Sequence, residues 1–154
     1  MKKDGSFKFG EYNADTNNVE SYFGVRTHDG HTPFAHDMMF TKNWFVIIDS
    51  SVHFNMTQLM NETGNFFMWN PNANLKLGLA PRHVPNVTSD DVIWFDFGKP
   101  HVILHPLNSW EEEDDGTVVM WSPCGDDFDI GIETGGNSYY MTEFRINPRK
   151  EIAR

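Results

Sequence analysis

The chain has 154 residues, of which 14% are aromatic and 22% charged, a composition that suits one globular domain and not a disordered segment. Its formal net charge of −10, with no cluster of Lys and Arg to offset it, argues against a nucleic-acid partner. No apolar run approaches the roughly 20 residues of a membrane helix, and the opening MKKDGSFKFG lacks the apolar segment of a secretory signal.

In chain order, Gly5–Tyr12 alternates as a strand, Asn13–Asn18 (NADTNN) is turn chemistry, and Val19–Arg26 closes a hairpin. Thr27–Pro33 reads as a loop. Trp44–Asp49 is a continuous apolar run, as expected of a strand buried on both faces. Gln58–Glu62 fits one helical turn. Leu75–Ala80, Val92–Phe97, His101–His105, Thr117–Trp121 and Tyr139–Ile146 are further strands, with Gly and Pro in nearly every gap. The acidic run Glu111–Asp115 (EEEDD) reads as a solvated loop. Cys124 is the only cysteine, so no intrachain disulfide forms, and it reads as a half-buried small residue. Short strands at intervals of about ten residues define an all-β class: a sandwich, a barrel or propeller blades.

The seven histidines are His28, His31, His36, His53, His83, His101 and His105. None belongs to an HExxH or Cys/His finger pattern. His101 and His105, four apart on an expected strand, would share a face with Cα atoms ~13 Å apart. At that separation no more than one of them serves a given metal. Taken singly, each histidine reads as a surface or satisfied polar residue.

Two stretches change that reading. PFAHDMMFTKNW contains His36, Asp37, Thr41 and Asn43, and HPLNSWEE contains His105, Asn108, Trp110, Glu111 and Glu112. They resemble, in order, the two middle histidine motifs of the carotenoid cleavage oxygenases. That family includes epoxycarotenoid, lignostilbene and apocarotenoid oxygenases and the retinoid isomerohydrolase. LKLGLAPRHV (Leu75–Val84), VIWFDF (Val92–Phe97) and YYMTEFRINPRK resemble the intervening and following strands of the same family, so the likeness is collinear over almost the whole chain.

The resemblance implies that residues 1–154 are part of a seven-bladed β-propeller domain, about two to three blades of antiparallel strands. It implies an Fe(2+) ion on the axis, held by four histidines, of which His36 and His105 are two. Neutral imidazoles suit that ion. No catalytic group beyond the metal ligands and no organic cofactor is implied. The substrates are a carotenoid or apocarotenoid and dioxygen, and one C=C bond gives two carbonyl fragments. Asp37 would pin the turn beside His36. Spacing to Asn108 and Trp110 selects His105 over His101 as the ligand. Glu143 falls on an ordinary strand of the family and faces outward, which sets it aside as a third ligand. Leu104 stands where the family often has an aromatic, loosening one wall of the polyene tunnel. Any peripheral membrane contact would be made through parts outside this segment, and a cytoplasmic or plastid location is expected rather than secretion. The competing readings are a β-rich remnant or interaction module that has lost the chemistry, and an unrelated β-sandwich.

Overall fold

The computed structural model describes residues 6–26, 33–55, 60–61, 66–128, 138–150 and 152–153. They form strands β1 (Ser6–Asn13), β2 (Asn18–Arg26), β3 (Met39–Phe40), β4 (Trp44–Asp49), β5 (Val52–Phe54), β6 (Phe67–Trp69), β7 (Lys76–Pro81), β8 (Ile93–Asp96), β9 (Asn108–Glu111), β10 (Val118–Gly125), β11 (Tyr139–Asn147) and β12 (Ile152–Ala153), with a 3-10 turn at Ser89–Asp91. Every strand pairing is antiparallel. The sheets are β1-β2, β3-β4-β7-β8, β5-β6 and β12-β11-β10-β9. Among the described residues the architecture is β-rich sheet, as the all-β reading requires, and Met60 and Asn61 are helical where one turn was expected. The loop expected over Thr27–Pro33, apart from Pro33, and the helical turn over Gln58–Glu62, apart from Met60 and Asn61, lie outside the described residues. His28 and His31 also lie outside them.

Turn chemistry closes the first hairpin as its sequence suggests. The Asn13 side-chain oxygen accepts from the backbone N–H groups of Asp15 at 2.9 Å and Thr16 at 3.1 Å. Asn17 takes φ 54°, a left-handed conformation that asparagine tolerates.

β4 shows why its run of apolar residues is unbroken. Successive side chains of a strand point to opposite faces, and here each face meets a different core. Val46 and Ile48 join Leu77, Leu79, Val118, Met120, Phe144 and Ile146. Phe45 and Ile47 join Val25, Ala80 and Val92, with Phe9 packed against them. The sheet of β4 is thus sandwiched between the β1-β2 hairpin and the sheet of β9–β12. Each fully buried Ile, Leu or Val contributes roughly 1.5–3 kcal/mol of hydrophobic stabilisation. Gly78 lies directly opposite Trp94 across β7 and β8. A Cβ there would stand 2.9 Å from both Trp94 Cζ3 and Val92 Cγ1, so the ring occupies the space a side chain would need.

The expected strand His101–His105 does not form. Only Val102 makes a bridge, exchanging backbone bonds with Gly125 at 2.9 and 3.0 Å. His101 turns instead to Ser51: its carbonyl accepts from Ser51 N–H, and its N–H donates to Ser51 Oγ, both at 2.9 Å. A segment divided between two partners, with prolines at 100 and 106 on either side, cannot run as a regular ladder. Strand β9 forms just beyond it, in a stretch read as part motif and part loop.

Candidate metal centre

His36 and His105 each stand three residues ahead of a short edge strand. His36 precedes β3, the outer strand of one sheet, and His105 precedes β9, the outer strand of the other. The two edges lie side by side. Ser109 Oγ donates to the Phe40 carbonyl at 3.1 Å across a sequence separation of 69. His36 and His105 have that same separation, and their rings meet with centroids 4.6 Å apart at 84°. Glu111 meets Thr41 and Asn43 at separations of 70 and 68. Four residue pairs at a near-constant offset mean that the two segments run in the same direction and in register.

Local structure turns the His36 ring outward. The Phe34 N–H donates to the Val52 carbonyl at 3.0 Å, and the His36 N–H donates back to the Phe34 carbonyl at 2.9 Å. Asp37 Oδ1 accepts from the Met38 N–H at 2.8 Å, in the turn where that carboxylate was expected. Behind His36, Phe34 packs edge-on at 5.1 Å, and it touches Phe54 at 5.1 Å and Phe67 at 4.6 Å. On the other side, Pro106 favours an extended His105. The Leu107 N–H donates to the Trp121 carbonyl at 2.9 Å, continuing the β9–β10 pairing toward the histidine. Both imidazoles are exposed, and among the described residues neither has a hydrogen-bond partner.

The centroid spacing is one that two imidazoles sharing a divalent cation would have. An imidazole bound at about 2.1 Å has its centroid about 3.2 Å from the metal, so two ligands at a right angle have centroids about 4.5 Å apart. The observed separation is 4.6 Å. Neutral nitrogen donors suit iron(II) among such ions.

His101 lies elsewhere. It is buried, with Nδ1 2.9 Å from Asp126 Oδ1, so the shared face expected for His101 and His105 is not observed. Separate packing of the irregular segment takes one ring inward and leaves the other exposed. His53 is buried on β5, and His83 sits with Nε2 3.2 Å from the Lys42 carbonyl. Glu143 is exposed and ion-paired with Arg145 at 3.2 Å.

The acidic run is a solvated loop only in part: Glu113 and Asp114 are exposed in the turn after β9, while Glu111, Glu112 and Asp115 are half-buried and held by partners. Glu111 ends β9 and accepts from Thr41 Oγ1 at 2.5 Å, Asn43 N–H at 2.7 Å and Asn43 Nδ2 at 2.6 Å. Burial raises its pKa, but these hydrogen bonds and the charge of Lys42 outweigh that and hold it below the ordinary glutamate value. Glu112 pairs with Arg145. Asp115 accepts from Thr117 N–H at 2.9 Å, Thr117 Oγ1 at 2.5 Å, Asn147 Nδ2 at 2.9 Å and Lys150 Nζ at 3.3 Å. Glu112, Asp114 and Asp115 offer oxygens within 4.8 Å of one another, an arrangement that can hold a cation. An all-oxygen set suits hard ions, and these carboxylates are already engaged by protein donors. A cavity of about 800 Å³ opens at this end, lined by Thr41, Asn43, Arg82, Glu111, Glu112 and Arg149 among others. Neither His36 nor His105 lines it.

Comparison with known proteins shows the family to which the chain belongs. Residues 1–152 match the family model for retinal pigment epithelial membrane protein. The chain belongs to this family. It is 24% identical over 118 residues to carotenoid 9,10(9',10')-cleavage dioxygenase 1 of Arabidopsis thaliana, a match covering 72% of the chain and 21% of that protein. It is 36% identical over 66 residues to resveratrol cleavage oxygenase 1 of Chaetomium globosum, covering 41% of the chain and 11% of that protein. The crystal structure of Pseudomonas brassicacearum lignostilbene dioxygenase superposes with a TM-score of 0.76 at 17% identity, over 94% of the chain and 30% of that structure. Cobalt-substituted Synechocystis ACO gives 0.73 at 16% identity, over 97% and 31%. The family member described here therefore spans about a fifth of the first of these relatives and under a third of the solved structures.

Proposed function

We propose that the chain is part of a non-haem iron(II) oxygenase that cleaves one C=C bond of a carotenoid or apocarotenoid with dioxygen, leaving two carbonyl fragments. The approach of His36 to His105 at 4.6 Å is the observation that carries the reading. In it the two face-packed sheets are neighbouring blades of a seven-bladed propeller, and β3 and β9 are their inner strands. The other two imidazoles come from outside these 154 residues.

His36 and His105 would hold the iron, which when bound supplies dioxygen activation. The chain's own residues do the rest of what is visible. The backbone bonds at Phe34 and Leu107 fix where each ring starts. The Phe34, Phe54 and Phe67 cluster gives an apolar wall beside His36, suited to a polyene and unsuited to water.

Iron content tests the reading. After anaerobic incubation with Fe(II) and desalting, the complete protein should retain one iron per chain, and His36→Ala and His105→Ala should retain little. Full iron retention and polyene cleavage in either variant would remove that histidine from the ligand set. An iron-free complete protein would instead select a non-catalytic propeller remnant.

A further inference from the structure

We propose that Glu111 is a positioning residue for the His36–His105 pair, acting as a clamp that locks the seam between the two edge strands. The inference rests on the proposed metal role of the two histidines and adds what sets their separation.

Edge strands of different sheets have no ladder of backbone hydrogen bonds between them to fix register. Here the register is fixed by side chains. Ser109 makes one bond to the Phe40 carbonyl, and Glu111 makes three to Thr41 and Asn43. A carboxylate accepting three hydrogen bonds is the strongest polar contact along this seam, because bonds to a charged acceptor exceed neutral ones. Thr41 is itself buried and held: its N–H donates to the Trp44 carbonyl at 2.8 Å, and the Trp44 N–H donates to its Oγ1 at 3.2 Å. Arg82 bonds the Thr41 carbonyl, pairs with Glu11, and lies over the Phe40 ring at 4.9 Å. Glu111 therefore grips a turn that is already rigid and anchored to a third segment. The histidines lie at the other end of the same two in-register segments. A seam free to slide at Glu111 is free to change the spacing of the rings, and a cation needs that spacing fixed.

Co(II) is the probe, an air-stable divalent ion with the same donor preference. Its affinity for the complete protein is measured by titration for wild type, Glu111→Ala, Glu111→Gln, His36→Ala and the double variant His36→Ala/Glu111→Ala. Folding is checked by circular dichroism. Glu111→Ala should weaken Co(II) binding about tenfold or more, the range for residues that orient ligands from outside the coordination sphere. Glu111→Gln keeps the size and one carbonyl oxygen, remains informative where the alanine variant fails to fold, and should lose several-fold. In the His36→Ala background, where the pair is gone and the spacing of its rings no longer matters, Glu111→Ala should change affinity less than twofold. Wild-type affinity in folded Glu111→Ala or Glu111→Gln, with His36→Ala impaired, would overturn the clamp and leave the metal reading intact. An equal loss from Glu111→Ala in both backgrounds would also overturn it. Unchanged affinity in His36→Ala itself would overturn the metal reading and the clamp with it.

Discussion

The rings of His36 and His105 meet edge to face, 4.6 Å between centroids, although both are exposed. An exposed aromatic contact adds little stability, about 1 kcal/mol. His36→Ala and His105→Ala should therefore each cost about 1 kcal/mol or less in urea unfolding with chelator present. Added Fe(II) should raise the unfolding midpoint of wild type and not of either variant, since a ligand stabilises only the state that binds it. A loss well above about 2 kcal/mol without metal would mark the rings as structural.

His101 should behave in the opposite way. It is buried, close to Asp126, and joined through its backbone to Ser51. His101→Gln should leave metal content unchanged and cost about 1–2 kcal/mol, from the lost polar contact and altered packing. Paired measurements of iron content and urea midpoint decide it. A variant that loses iron while keeping its midpoint would contradict the assignment.

Gly78→Ala places a methyl group where Trp94 and Val92 already stand. The expected cost is about 1–3 kcal/mol, the range for overpacking. In a double-mutant cycle, Trp94→Leu should relieve much of it, so that the two changes are clearly non-additive. Additive losses would place the clash elsewhere.

Acid should weaken the Asp115 cluster in a defined direction. Hydrogen bonds from the side chain and backbone of Thr117, and then the contact with Lys150, lower the Asp115 pKa to about 2 from an ordinary 3.8. A carboxyl whose pKa is depressed by folding adds stability above its unfolded value and loses it as pH falls through the folded one. The contribution is thus present at neutral pH and disappears between about pH 4 and pH 2. Asp115→Asn should be less stable than wild type at neutral pH, with the gap closing over that window. Urea midpoints at several pH values measure it, and a gap that widens in acid would refute the sign.

The elements legible in the sequence were those with a local cause. The Asn13–Asn18 turn follows from asparagine chemistry, and β4 follows from an apolar run that no half-exposed strand would carry. The His36 and His105 motifs were legible because residue order alone identifies them. His101–His105 was misread because HVILH has the composition of a strand, while its partners, Ser51 and Gly125, lie far away in sequence. Composition cannot report that one segment is shared between two others. Glu111 was hidden by its neighbours: five acidic residues in a row look like solvated charge. The available signal was that Thr41 and Asn43 belong to one matching motif and Glu111 to the other, so that hydrogen-bond donors in one and a carboxylate in the other invite a search for contact between them.

The near-constant offset between the two histidine segments has a consequence for length variation. From His36 to Asn43 and from His105 to Glu111, the chain acts as two measuring rods laid side by side, fastened at one end by Glu111 and read at the other by the imidazole spacing. One residue added to either rod turns every later side chain to the opposite face and parts the fastening from the histidine it serves. The turn between β9 and β10 lies outside both rods, and extending it alters neither. In any related sequence that keeps both functions, these two stretches should gain or lose residues together or not at all.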